Sequence, residues 1–251
     1  MSVASISADP WKGPLPSVEE AAKMIDHSLL RPELTPAEVS EGLATALAYR
    51  TASACVRPAD VATAVTALAG SGVAVGTVVG FPHGGTTTAA KVFETRELVA
   101  LGAQEIDMVI DIGRLRGGDA AYTRDEIAAV VEAAQGRTVK VIFENAYLDD
   151  ARKVAGYRAA EAAGAAFVKT STGFAPGGAT PDDIALMRRT VSPHVRVKAA
   201  GGVRTLDALL RLHRLGATRF GATATATILD DLRGRLTGAA PLPAGGPAGG
   251  Y

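Results

Sequence analysis

The sequence predicts an α/β fold, a single (β/α)₈ barrel, on three observations. Eight short runs rich in Val, Ile and Phe alternate with stretches of helical periodicity, and such alternation implies parallel strands joined by crossovers. The units recur every 20 to 35 residues or so, and 251 residues is a usual size for one closed barrel. A doubly wound open sheet is the alternative. Against it, no GxGxxG follows the first strand run and no GxxxxGK(S/T) occurs.

Strands are expected around 24–26, 52–56, 73–79, 105–111, 138–144, 166–171, 196–200 and 218–221. Helices are expected at 36–49, 59–69, 88–101, 124–134, 150–163, 181–189, 206–215 and 224–236. Thr35-Pro36, Thr180-Pro181 and Thr205 offer N-caps, twice followed by proline at the first helical position. Gly102, Gly136, Gly164 and Gly216 sit where helices should stop. Residues 1–20 read as an N-terminal extension, since 1–16 carry three prolines and no apolar block. The barrel is placed at 21–236. Residues 237–251 read as a flexible Gly/Pro-rich tail ending in the aromatic hydroxyl of Tyr251.

Composition narrows the function. Twenty-six basic residues balance 26 acidic ones, so the basic excess that usually meets nucleic acid is missing. The longest apolar run, 72–81, is about half a membrane span, and no secretory signal is read at the start. Cys55 is the only cysteine, which excludes internal disulfides and multi-cysteine metal sites. His27, His83, His194 and His213 lack HxH or HxxxH spacing, so no metal is expected. A soluble, cytoplasmic protein with a substantial core is the expectation.

In this architecture the chemistry sits where strands run into the βα loops. Ionisable residues inside apolar strands are therefore the informative ones, since burying them is costly unless they are used or paired. They are Asp107, Lys140, Lys169 and Lys198, with Glu144 at the same parity as Lys140. Lys169 and Lys198 lie one βα repeat apart, so neighbouring strands present them side by side. Two ammonium groups in one cavity cannot both hold a proton cheaply, and a neutral amine is what a carbonyl nucleophile requires. The residues thus suggest a Schiff-base lysine, a cationic lysine beside it and Asp107 as proton carrier. Salt bridges with the lysines snorkelling to solvent are the alternative. Ala200-Gly201-Gly202 and Gly221-Ala222-Thr223 open helices after the last two strands, with Gly173 after Lys169. Those loops suit a phosphate, though glycine also serves simple turns.

Six segments then occur in a telling order: Asp26-His27-Ser28-Leu29-Leu30, Gly80-Phe81-Pro82-His83-Gly84, Glu105-Ile106-Asp107-Met108-Val109-Ile110, Lys140-Val141-Ile142-Phe143-Glu144, Phe167-Val168-Lys169-Thr170-Ser171-Thr172-Gly173 and Val197-Lys198-Ala199-Ala200-Gly201-Gly202-Val203-Arg204-Thr205. Together they resemble the deoxyribose-phosphate aldolases, class I aldolases on a TIM barrel, over about 24–232. The resemblance implies reversible cleavage of 2-deoxy-D-ribose 5-phosphate to D-glyceraldehyde 3-phosphate and acetaldehyde, without metal or organic cofactor. It assigns the Schiff base to Lys169 and the proton relay to Asp107 and Lys198, with Lys140 and Asp26 in the surrounding network. Gly173, Gly201, Gly202, Gly221 and Thr223 match phosphate-binding positions, and Tyr251 resembles a C-terminal tyrosine that assists proton transfer in some members. A homodimer is left open.

Departures from the family pattern are small. Ser28 stands for a more usual threonine, Asn145 for a common threonine, and Asp111 for a common asparagine, where its charge either raises the pKa of Asp107 or points away. Two other readings stay open: a related Schiff-base aldolase with another sugar phosphate, and a non-catalytic sugar-phosphate sensor. Cys55 is expected to pack as a small apolar residue, with modification by reactive aldehydes as the alternative. The loop 81–85 reads equally as a lid or a turn.

Overall fold

The computed structural model describes residues 13–242. Tyr251, most of the C-terminal tail and the start of the N-terminal extension lie outside the described residues. Eight strands run parallel and close in chain order, β8 pairing with β1: β1 (Ile25–Leu29), β2 (Ser53–Val56), β3 (Ala74–Val79), β4 (Glu105–Val109), β5 (Thr138–Ile142), β6 (Phe167–Lys169), β7 (Arg196–Ala200) and β8 (Ala217–Ala222). The closed barrel, not the open sheet, is the architecture.

Eight of the helices follow the expected order, seven of them with bounds near those expected: α2 (Pro36–Tyr49), α3 (Val61–Ala67), α4 (Thr88–Ala100), α6 (Ala120–Ala133), α7 (Asp150–Ala162), α8 (Pro181–Thr190), α9 (Leu206–Arg214) and α10 (Thr225–Leu236). Thr35, Thr180 and Thr205 do cap α2, α8 and α9, accepting from the backbone N–H of Glu38, Asp183 and Ala208. The cap of α6 is Asp119, upstream of the apolar periodicity, so this helix starts four residues early. Gly102, Gly136, Gly164 and Gly216 all adopt positive φ beyond helix ends, the conformation that favours glycine there.

Two short helices depart from the sequence reading. α1 (Val18–Ala22) begins inside the segment assigned to the extension, because Ser17 and Glu20 form a capping box and Ala21 and Ala22 are buried in the core. α5 (Ile112–Arg116) follows β4, and Asp111 caps it by accepting from Arg114 N–H at 3.0 Å. Of the two options for Asp111, pointing away holds. Neither helix spans enough turns to show a periodicity.

Alternate strand residues meet the helices. Ile106, Val141 and Val168 pack with Leu43, Ile127 and Leu209 in one continuous core, each such side chain gaining about 1.5–3 kcal/mol on burial. Among the described residues, no helix is long and apolar enough to cross a membrane.

His27 sits within β1, 5% exposed, its Nδ1 at 2.8 Å from Oγ1 of Thr225, the first residue of α10. Burial drives its pKa from 6.5 down to about 4. Between those values the unfolded chain takes up a proton that the native imidazole refuses. Its contribution to stability is therefore complete above pH 6.5 and drains as pH falls towards 4. Urea titrations across that range should show a loss of up to about 3 kcal/mol from this group, and a His27→Gln variant should have a shallower slope by one proton.

Candidate active site

Strand register decides which side chains share the barrel interior. Asp107 is paired with Lys140 across β4 and β5, and Lys169 with Lys198 across β6 and β7. Asp26 of β1 points to the same interior. All five are at most 3% exposed, and they form one hydrogen-bonded group. Oδ2 of Asp107 accepts from Lys169 Nζ at 2.7 Å and from Lys198 Nζ at 2.6 Å. Lys198 also donates to Asp26 Oδ2 at 2.5 Å. Lys140 donates to Asp107 Oδ1 at 2.9 Å and to Asp26 Oδ2 at 3.2 Å. Because both ammonium groups bond one oxygen, Lys169 and Lys198 stand within a few ångströms of each other on the same side of the wall.

Two further ionic residues belong to the group. Glu105 accepts from Lys140 Nζ at 2.7 Å, and Arg219 bonds Glu105 at 3.1 Å and also Asp26 Oδ1. Ser53 Oγ donates to Asp26 Oδ1 at 2.6 Å. The group so described has four cations and three carboxylates. Arg219, Lys140 and Lys198 each contact two or three carboxylates, whereas Lys169 contacts one. Lys169 is the cation left over.

The electrostatics follow from this packing. Burial opposes ionisation of Asp107, yet Lys140, Lys169 and Lys198 outweigh it and hold the carboxyl well below the usual carboxylate range. Asp26 is held down likewise, with Lys140, Lys198 and Arg219 overcoming burial. Burial also disfavours the charged form of Lys140, but Asp107, Asp26 and Glu105 keep it protonated far above neutrality.

Beside this group lies a cavity of about 220 Å³ on the loop side of the barrel, lined by Gly173, Gly201, Gly202, Gly221 and Thr223 together with Ser28 and Arg204. Gly173, Gly201 and Gly202 adopt φ of 94°, 82° and 83°. A Cβ on Gly221 would stand 3.2 Å from the Cβ of Ala200 and 3.7 Å from Cε of Lys198, so this glycine links the cavity to the lysines. All five glycine-and-threonine positions singled out in the sequence therefore share one wall.

A profile of the DeoC/LacD family aldolases matches residues 21–239. The chain belongs to this family. It is 50% identical over 211 residues to the deoxyribose-phosphate aldolase of Staphylococcus haemolyticus, covering 84% of this chain and 96% of that one. It is 48% identical over 213 residues to that of Clostridium perfringens, covering 84% and 95%. Among solved structures, a tetrameric deoxyribose phosphate aldolase from Aeropyrum pernix superposes with a TM-score of 0.81 at 28% identity, covering 86% and 92%.

Other expectations for this aldolase-family chain resolve as follows. Cys55 packs with Leu30, Val78 and Phe81 and is 2% exposed. Burial and the Asp107 charge push its thiol up to about 11 against the pull of the lysines, so the thiolate that reacts with aldehydes is suppressed. The loop 81–85 is a pinned turn: Gly84 N–H donates to Gly80 O at 2.7 Å and Gly80 N–H to Glu94 at 2.8 Å. The shared parity expected for Lys140 and Glu144 fails, because β5 ends at Ile142 and Glu144 has left-handed backbone (φ 53°, ψ 61°).

Glu105 and Arg219 escaped notice as site residues. The signal was present, since Glu105 is two residues from Asp107 and shares its parity, and Arg219 interrupts an apolar strand. Removing one member of such a group leaves uncompensated buried charge. Lys140→Met should cost about 3–5 kcal/mol in urea unfolding at pH 7, more than Met replacement of any exposed lysine.

Proposed function

We propose that this chain is a class I aldolase that reversibly cleaves 2-deoxy-D-ribose 5-phosphate to D-glyceraldehyde 3-phosphate and acetaldehyde, in the breakdown of deoxyribonucleotides. The observation that carries the reading is the single oxygen of Asp107 bonded to both Lys169 and Lys198, in a chain half identical to curated deoxyribose-phosphate aldolases.

Charge counting supports Lys169 as the nucleophile. With four cations against three carboxylates, the group balances when one amine is neutral, and Lys169 has the fewest carboxylate partners. A neutral Lys169 beside a protonated Lys198 keeps that balance, with Asp107 Oδ2 bonded to both. Neutral Lys169 Nζ then attacks the aldehyde carbon of the open-chain sugar; Lys198 supplies the proton with which the carbinolamine hydroxyl leaves as water, so the iminium ion forms as the Lys198 amine becomes neutral.

The iminium is the electron sink for the bond that breaks. Asp107 accepts the proton of the third-carbon hydroxyl, and that oxygen's electron pair becomes the new carbonyl of glyceraldehyde 3-phosphate. The pair of the bond between the second and third carbons moves into an enamine on Lys169. The cations around it make Asp107 a poor place to keep a proton, so its part is to pass the proton along its bond to the Lys198 amine, which the dehydration left neutral. Protonation of the enamine carbon and hydrolysis release acetaldehyde and free Lys169.

The phosphate is assigned to the cavity bounded by Gly173, Gly201, Gly202, Gly221 and Thr223. There, left-handed glycines bring backbone N–H groups close, and the N-termini of α9 and α10 favour an anion. Tyr251 is proposed to assist protonation at the enamine carbon, and the chain is proposed to act as a homo-oligomer.

Borohydride reduction in the presence of acetaldehyde should fix an ethyl group on the Lys169 peptide, read by mass spectrometry. Labelling of another lysine, or of none, would overturn the assignment. Asp107→Asn should still form the imine but cleave deoxyribose 5-phosphate about 10²–10⁴-fold more slowly. Deleting Tyr251 should slow solvent-deuterium exchange into acetaldehyde.

A further inference from the structure

Glu144 is buried, 1% exposed, and feels the charge of Lys169 without bonding directly to the lysine group. It lies just past the end of β5, and its backbone neighbours grip the Schiff-base strand on both sides. Phe143 N–H donates to Lys169 O at 3.1 Å and Asn145 N–H to Thr170 O at 3.0 Å. Its side chain reaches further along the same segment. Oε2 accepts from Thr172 N–H at 3.1 Å and from the Thr172 hydroxyl. That hydroxyl in turn accepts from Phe174 N–H at 3.0 Å, closing a tight turn around Gly173, which lines the cavity assigned to phosphate.

Stability alone is a poor reason for this arrangement. A non-glycine residue in left-handed backbone is strained, and Oε1 of Glu144 is buried without a hydrogen-bond partner among the described residues. An unsatisfied buried acceptor is costly. Burial also raises the carboxyl above its ordinary range, against the pull of Thr172 and Lys169. Three unfavourable features at one position are tolerated where the position sets the geometry of a site.

We propose that Glu144 is a positioning residue for substrate phosphate: through Thr172 it fixes the turn that presents Gly173 to the phosphate cavity. This rests on the aldolase reading and adds a determinant of how the phosphorylated substrate is distinguished from its unphosphorylated analogue. A glutamine keeps an oxygen able to accept from both Thr172 donors; an alanine leaves the turn unheld.

The test compares Glu144→Ala, Glu144→Gln and Thr172→Val with the wild type. It measures cleavage of 2-deoxyribose 5-phosphate and of 2-deoxyribose, and calorimetric binding of inorganic phosphate. Misplacing the turn by about an ångström should raise KM for the phosphorylated sugar by about 10–10² in Glu144→Ala and Thr172→Val, with kcat/KM for the unphosphorylated sugar within about threefold. Phosphate binding should weaken in parallel, while Glu144→Gln should stay within about threefold of wild type throughout. Equal losses on both sugars, no change, or a glutamine variant as impaired as alanine would overturn the proposal. If Glu144→Ala does not fold, Thr172→Val decides by the same criteria. A wild type that binds phosphate but cleaves neither sugar defeats the aldolase reading instead, and the Glu144 comparison is then made on phosphate affinity alone.

Discussion

One oxygen atom, Oδ2 of Asp107, shared between two lysine side chains, is the contact on which the rest of the structure depends. It is possible only because β4, β6 and β7 present their residues to one interior at matched heights. A shift of any of these strands by one residue would turn its charge out among the helices. Buried ions are expensive, and a pair seldom recovers the full cost of leaving water. Here the cost is met by density: each carboxylate in the group serves more than one cation.

The barrel separates two tasks along its axis. Inside the strands, long charged side chains form the buried ionic group. At the strand ends, glycines with left-handed backbone replace side chains, so the wall is made of peptide groups. Gly221 marks the boundary, since a methyl group there would press on Ala200 and approach Lys198. The cavity wall is thus mostly peptide groups and small side chains, with Arg204 its cationic member.

Much of this was legible in the chain. Regular alternation of apolar runs and helical stretches prescribed the eight units, and charges inside apolar runs marked Asp107, Lys140, Lys169 and Lys198. Glycines at helix starts marked the cavity. What escaped had physical reasons. Helices α1 and α5 are five residues long, too short for a periodicity, and depend on caps. Glu105 and Arg219 lie deeper in the same interior, where a salt bridge between distant strands is visible only once the ring is closed. Glu144 misled a parity argument because alternation ends where the backbone turns left-handed. Asp111 had two readings as a charge and turned out to be a cap.

Closure joins the first strand to the last, and the charge group straddles that seam: Asp26 comes from β1, Arg219 from β8. A growing polypeptide leaving the ribosome holds Asp26 and Lys169 before it has Lys198 or Arg219. Until synthesis is finished, each early ion stays hydrated and the amine at 169 is an ordinary solvated ammonium. The buried ionic surroundings of residue 169 therefore exist only once the last strand has closed the ring.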